Sequence, residues 1–249
     1  MELKSANIII TGAGSGFGKA MCEHFLFLGA SVYAVDVNSE ALKMLKREQA
    51  NVNTFTCDVS SNEQVEKVID EIIETNDGIN VLINNAGIMK NAPLVNLLSR
   101  PDNRHPVELW NKVIEVNQNS VFYMTRSVAN AMIKKRNKGV IINISSISAK
   151  GNIGQTAYSA SKAAVEAMSN VWAKELGSFG IRSVCIAPGF INTIGTQDAL
   201  EEKMLAQWIS KTPLKRTGEV NEIVLATQFA IENDFFNGEL LNLNGGLTI

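Results

Sequence analysis

Asn7-Ile-Ile-Ile10-Thr11-Gly12-Ala-Gly14-Ser15-Gly16-Phe17-Gly18 is the stretch whose reading decides the fold. Consecutive isoleucines predict a short buried strand, and the glycine cluster predicts that it runs straight into a tight turn. An amphipathic helix follows to Leu28 and closes at Gly29. The spacing is not a clean Gly-x-Gly-x-x-Gly, because Phe17 stands where the third glycine counted from Gly12 would fall. It reads Gly12-x-x-x-Gly16-x-Gly18 instead. The physics is similar: small residues let a pyrophosphate reach the backbone at the positive end of a helix. A glycine-rich hairpin or linker would have neither the strand before it nor the helix after.

A second strand, Ser31-Val-Tyr-Ala-Val35, ends on Asp36, eighteen residues past Gly18. A carboxylate at that tip can accept hydrogen bonds from ribose hydroxyls and repel a 2′-phosphate. Val37 follows it where an arginine could have stood, and Ser15 brings no positive charge into the turn. These residues favour NAD over NADP. The plainer account of Asp36 is a helix N-terminal acid.

Strands and helices keep alternating beyond this point. A helix over 40–49 leads to a strand over 52–56, which ends at Cys57-Asp58-Val59. A helix over 63–75 leads to the strand Val81-Leu-Ile83, followed by Asn84-Asn85-Ala86-Gly87. After a loop over 90–106 rich in Asn, Pro and Arg, a long helix covers about 107–135. The strand Gly139–Ile144 ends in Ser145-Ser146, a helix covers 157–177, and the strand 181–186 runs into Ala187-Pro188-Gly189. A segment over 190–212 holds one helix, and a last helix (219–231) and strand (239–243) complete the chain. Such alternation calls for a parallel sheet covered on both faces. No linker or repeat interrupts it, so residues 1–249 are expected to form a single α/β domain.

Composition narrows the function. The chain is 45% apolar, ample for a large core, and its net charge of −2 gives no reason to expect nucleic acid or an anionic membrane as partner. No apolar run reaches ~18 residues, and Met1-Glu-Leu-Lys4 is not a secretory signal. Cys22, Cys57 and Cys185 have neither metal-ligand nor redox-pair spacing, and the two histidines have no carboxylate cluster beside them. The expectation is a cytoplasmic protein without a catalytic metal.

Tyr158-Ser-Ala-Ser-Lys162 carries the chemistry. On a helix, positions i and i+4 share a face, which brings the ammonium beside the phenol. A free tyrosine ionises near ~10, so service as a base at neutral pH needs a shift of ~3 units, about 4 kcal/mol. One cation at ~4 Å in an effective dielectric of ~20 supplies about that much. The same spacing also occurs on ordinary surface helices, so the pair gains meaning only with a cofactor site around it.

Taken together, Thr11-Gly-x-x-x-Gly-Phe-Gly18, Asp58-Val59, Asn84-Asn-Ala-Gly87, Asn117, Ser145-Ser146, Tyr158-x-x-x-Lys162, Pro188-Gly189 and Thr193 resemble the short-chain dehydrogenase/reductase family. They stand in the family's order, and the resemblance covers essentially the whole chain. It implies a Rossmann-type, doubly wound parallel sheet of seven strands in the order 3-2-1-4-5-6-7, with helices on both faces. It implies cofactor contacts from Gly12, Ser15, Gly16, Phe17, Gly18, Asp36, Asp58 and Val59 at the adenosine end. Asn85, Ala86 and Gly87 would pass beneath the cofactor, and Pro188, Gly189 and Thr193 would flank the nicotinamide. Lys162 would bind the nicotinamide ribose and depress the Tyr158 pKa, and Asn117 would bend the long helix and anchor a water for proton relay.

The family serine that stabilises the substrate oxygen usually lies thirteen residues before the tyrosine, a count that picks Ser145. Aligning the strand from Gly139 picks Ser146, with the following loop one residue short. Neighbouring side chains on a strand face opposite ways, so one alone can meet the substrate. Ser146 is favoured, because loops lose residues more readily than strands change register. The other serine is then expected to help hold the cofactor. The 84–117 stretch is several residues longer than in compact members, with Arg100-Pro-Asp-Asn-Arg-His105 in the extra part. It is either a tolerated surface insertion or a loop shaping substrate entry or subunit contact. Asn244 stands where the family usually has aspartate before two glycines, a position that is normally structural.

The resulting expectation is NAD-linked interconversion of a secondary alcohol and a ketone, with Tyr158 as acid/base and Ser146, Lys162 and Asn117 completing the catalytic set. The resemblance is to 3-oxoacyl-carrier-protein-reductase-like and hydroxysteroid-dehydrogenase-like members, and to a homo-oligomer, a tetramer, built by pairing the two long helices. Val121, Phe122, Met124, Val165, Met168, Val171 and Trp172 on those helices are more apolar residues than one sheet face needs, and either that pairing or ordinary core packing accounts for them. The rival is an NAD-binding regulator on the same fold, but such proteins usually lack the tyrosine or the lysine. A methyltransferase-like nucleotide site has no need of the Tyr158, Asn117 and Asn84–Gly87 motifs together.

Overall fold

A computed structural model describes residues 1–76, 78–98, 102–193 and 202–249, with side chains from 205 in the last stretch. Seven parallel strands form the main sheet in the order β3-β2-β1-β4-β5-β6-β9. They are β1 (Asn7–Thr11), β2 (Ser31–Asp36), β3 (Asn53–Thr56), β4 (Val81–Asn84), β5 (Gly139–Ile144), β6 (Ile181–Pro188) and β9 (Leu240–Leu243). This is the Rossmann-type order expected from the sequence. A second sheet, which the sequence reading did not foresee, pairs β7 (Ile191–Asn192) with β8 (Gly218–Glu219).

Alternation along each strand divides the core between two helical layers. On β1, Ile8 and Ile10 join one cluster and Ile9 the other. The first cluster takes Met21, Cys22 and Phe25 from α1 (Gly16–Phe27), Leu42 and Leu45 from α2 (Ser39–Glu48), and Val224, Ala230 and Ile231 from α8 (Val220–Glu232). The second takes Val65, Val68, Ile69 and Ile72 from α3 (Asn62–Glu74) and Met124, Val128 and Met132 from α5 (Ser120–Lys135). Fully burying one such side chain stabilises the fold by roughly 1.5–3 kcal/mol.

The long helix expected over 107–135 forms as α4 (Val107–Ile114), a π-helical turn over Glu115–Asn119, and α5. It packs beside α6 (Thr156–Leu176), which carries Tyr158. Val121, Met124 and Val165 are at most 3% exposed and belong to this chain's own core, so for these three the core-packing account holds. Phe122 and Val171 are exposed. The 90–106 loop folds back on itself: Asn96 N–H donates to Asn103 O, and His105 N–H donates to Leu94 O. Arg100 and Pro101 of the expected insertion lie outside the described residues, as does 194–201 of the expected substrate segment; its helix is α7 (Glu202–Lys211).

Candidate active site

Parallel pairing puts the ends of β1, β2, β4, β5 and β6 along one edge of the sheet. The order reverses between β1 and β4, since β2 and β3 lie on one side and β5, β6 and β9 on the other. The crevice outside such a reversal is where open α/β sheets take ligands.

The glycine turn fills one side of that crevice. Gly12 has φ +64°, and a Cβ there would come within 2.9 Å of the Ala86 Cα. A Cβ on Gly18 would meet the Gly12 carbonyl oxygen at 2.0 Å, so the helix can begin against the turn only with glycine there. Gly16 is different: its φ is +52°, and nothing stands within 4 Å of where its Cβ would be. A backbone that is tight beneath and open above is the cradle a pyrophosphate needs. Ser15 caps this helix without a side-chain hydrogen bond to it, and Phe17 packs its ring on the core.

Thr11 ties the turn to the strand beside it, a contact the sequence reading did not foresee. Its hydroxyl accepts from the N–H groups of both Asn85 and Ala86 at 3.0 Å. Asn85 in turn donates its amide to the carbonyls of Thr11 and Gly12. Asn84, by contrast, belongs to the sheet interior, where it donates to Asn143 Oδ1 (2.8 Å) and Thr125 Oγ1 (3.0 Å). Its neighbours Asn85–Gly87 are thus the part of the motif that borders the crevice.

Asp36 sits against the turn. Its Oδ2 accepts from Gly14 N–H and its Oδ1 from Asn38 N–H, both at 2.8 Å. No ion pair among the described residues involves it. Asp58 accepts from the Ser60 hydroxyl (2.6 Å) and Ser60 N–H (2.9 Å), and the Ser60 hydroxyl chiefly holds its carboxyl below the usual carboxylate range. Val59 is buried beside it.

At the other end, Tyr158 is half-buried and in hydrogen-bonding contact with the Ser146 side chain. Ser146 Oγ accepts from Ser148 N–H at 3.1 Å, which leaves its own O–H to donate to the phenol oxygen. Ser145 points elsewhere. Its hydroxyl donates to Glu166 Oε1 at 2.6 Å, so the expectation that this serine helps hold the cofactor is corrected.

Lys162 is 5% exposed and donates to the Ile144 carbonyl at 2.7 Å, with Nζ 5.8 Å from the centre of the Tyr158 ring. Burial lowers its pKa to about 8. Burial also raises the Tyr158 phenol above its ordinary value, against which the Ser146 hydrogen bond pulls it back. The Lys162 ammonium is engaged by a carbonyl at the end of β5.

Asn117, fully buried in the π-helical turn, grips the Ile88 peptide from both ends. Its Oδ1 accepts from Ile88 N–H (2.8 Å) and its Nδ2 donates to Ile88 O (2.9 Å). A Cβ on Gly87 would lie 3.3 Å from Asn117 Oδ1 and 3.6 Å from Lys162 Nζ, so these groups converge. Gly189, following Pro188 at the end of β6, donates its N–H to Leu243 O, and Thr193 lies three residues beyond β6's turn. Among the described residues no cluster of His, Cys, Asp and Glu could hold a metal.

Comparison with known proteins identifies the family. The short chain dehydrogenase family model matches residues 6–204. The chain is 39% identical to the 3-oxoacyl-(acyl-carrier-protein) reductase FabG of Thermotoga maritima, over the full length of both. It is 34% identical to 3beta-hydroxysteroid dehydrogenase 2 of Eggerthella lenta, covering 98% of this chain and 95% of that one. The ligand-free aldohexose dehydrogenase of Thermoplasma acidophilum superposes with a TM-score of 0.85 at 28% identity, covering 98% of this chain and 94% of that one. The chain belongs to the short-chain dehydrogenase/reductase family and is an oxidoreductase of CH–OH and keto groups.

Proposed function

We propose that the protein interconverts a secondary alcohol and a ketone with NAD, with Tyr158 as the general acid/base. The observation that carries this reading is a phenol in contact with the Ser146 hydroxyl and near the Lys162 ammonium, in a chain whose first turn is a glycine cradle. The cradle fits the cofactor: Gly12, Ser15, Gly16, Phe17 and Gly18 would take the pyrophosphate. Asp36 would hold the adenosine ribose, and Asp58 and Val59 the adenine. Asn85, Ala86 and Gly87 would lie under the cofactor, with Pro188, Gly189 and Thr193 at the nicotinamide. NAD supplies the hydride acceptor when bound. The chain's own part is proton chemistry. Tyr158 takes the hydroxyl proton in oxidation and returns it in reduction, and Ser146 donates to the substrate oxygen. Lys162 holds the ribose and favours the phenolate, while Asn117 keeps the 88 peptide and the proton path in place.

The test is a panel of 3-hydroxyesters, hydroxysteroids and polyols incubated with NAD, with ketone quantified by chromatography. Ketone formation from any of them is the expected result. Tight NAD binding with no ketone from the whole panel would favour an NAD-binding regulator.

Preference for NAD rests on Asp36, whose carboxylate is free of ion pairs among the described residues and would face a 2′-phosphate. Asp36→Ala is expected to weaken NAD binding by on the order of ten- to a hundredfold, the worth of about 1.5–3 kcal/mol in charge-assisted hydrogen bonds. It is expected to bring NAD and NADP affinities closer together. Fluorescence titration with both cofactors checks it; an unchanged ratio would remove Asp36 from the assignment.

The same reading includes a homotetramer in the cytoplasm. Phe122 and Val171 on α5 and α6, and Leu225 and Phe229 on α8, are exposed on different elements, and a tetramer of two-fold symmetry uses two such faces. The three cysteines are free and buried, in keeping with a reducing compartment. No described helix is long and apolar enough to cross a membrane. Light scattering at micromolar concentration is expected to give about four times the chain mass of 27.1 kDa. A monomer would refute the assembly.

A further inference from the structure

Gln155 stands one turn before Tyr158, at the N-cap of α6, and is 8% exposed. Its side chain is not a helix cap. Nε2 instead donates to Asn91 Oδ1 at 3.2 Å and lies 3.5 Å from Met89 Sδ, while Oε1 is buried without a partner. The backbone reinforces the contact: Ala92 N–H donates to Gly154 O at 2.8 Å, and Ala92 pairs with Gln155 as an isolated bridge. From the far side, His105 Nδ1 holds the Ala92 carbonyl at 3.0 Å.

These contacts define one wall. The segment 87–92 leaves the sheet beside Lys162 and Asn117, and it reaches Gln155 five residues later. It therefore joins the two ends of the Gln155–Lys162 stretch, within which Tyr158 lies. Asn117 fixes one end of it and the Gln155 carboxamide the other. A buried amide oxygen left unpaired is unfavourable, so packing alone does not account for a glutamine here when a methionine would fill the same length.

We propose that Gln155 is a positioning residue for the reaction: its amide pins the 89–92 wall at the distance from Tyr158 that lets a substrate carbinol meet the phenol. The inference rests on the proposed role of Tyr158. It predicts an effect on substrate alignment with none on the cofactor, because the glycine cradle lies at the other end of the crevice.

A double-mutant cycle tests it, using Gln155→Met, Asn91→Leu and the pair, with NAD and the panel alcohol oxidised fastest. Asn91 is exposed, so its replacement leaves folding intact even if Gln155→Met does not fold. Displacing an aligned group by about 1 Å can cost on the order of 10²-fold. Each single variant is expected to lower kcat/KM for the alcohol by about tenfold or more, through lower kcat and higher alcohol KM, with NAD affinity and the pH midpoint unchanged. The double variant is expected to be no worse than Gln155→Met alone, because both remove one contact. Unchanged kcat/KM in the single variants, additive losses, or a loss confined to NAD affinity would each overturn the proposal. A wild-type protein inert toward the whole panel would instead remove the reading of Tyr158, and this inference with it.

Discussion

Tyr158→Phe is expected to lower alcohol oxidation by on the order of 10⁴-fold while leaving NAD binding nearly intact. The substitution keeps the ring, its packing on α6 and its place above Lys162, and it deletes one hydroxyl. That hydroxyl is the group that touches Ser146. Acid/base assistance alone is worth ~10²–10⁴ in rate, and the phenol also fixes the substrate oxygen, which takes the loss to the upper end. Steady-state turnover with an isothermal titration of NAD measures both halves. A variant retaining more than about a tenth of wild-type turnover would put proton transfer at under ~1.4 kcal/mol, too little for the acid/base.

Lys162→Ala is expected to fail in a different way. Turnover should fall by on the order of 10³-fold, and NAD binding should weaken as well, by roughly tenfold, because the ammonium would lose its ribose contacts. The Ile144 carbonyl would lose its donor, so a modest drop in Tm should accompany the change. Lys162→Arg is not a conservative control, since a planar guanidinium cannot fit a site built around one compact ammonium. The same titration and turnover assay check the pair. Normal NAD affinity in Lys162→Ala would show that the lysine serves the phenol alone.

Much of the architecture was legible because it is local. Ile8, Ile9 and Ile10 announce a strand buried on both faces, and Gly12 and Gly18 announce a turn with no room for a side chain at either position. The pairs made by distant segments were not legible. Ile191 meets Gly218 across twenty-seven positions, with only two residues on each strand to signal it. For Val121, Met124 and Val165 the sequence left interface and core equally open, and the packing of α5 and α6 on the sheet shows them to be core.

The site divides along the same line. Counting and strand alternation disagree over Ser145 and Ser146, and the contact that separates them comes from Glu166, twenty-one residues away on α6. For Tyr158 the sequence displays the cation four residues off but neither the burial that raises the phenol nor the Ile144 carbonyl that engages the ammonium. Gln155 gave no signal as a loop residue. Its meaning depends on Asn91, sixty-four positions earlier.

The wild-type pH profile of alcohol oxidation, set beside that of Tyr158→Phe, tests the central claim most directly. Oxidation needs the phenolate, so the wild-type rate should rise with pH through a single ionisation lying below the ordinary tyrosine value of ~10. Burial raises the phenol and the Ser146 hydrogen bond lowers it, and the ionisation expected here is the one read during turnover with NAD and the alcohol. Whatever rate remains in Tyr158→Phe should lack that ionisation. The same ionisation persisting in Tyr158→Phe would mean that another group takes the proton, and the account would be contradicted.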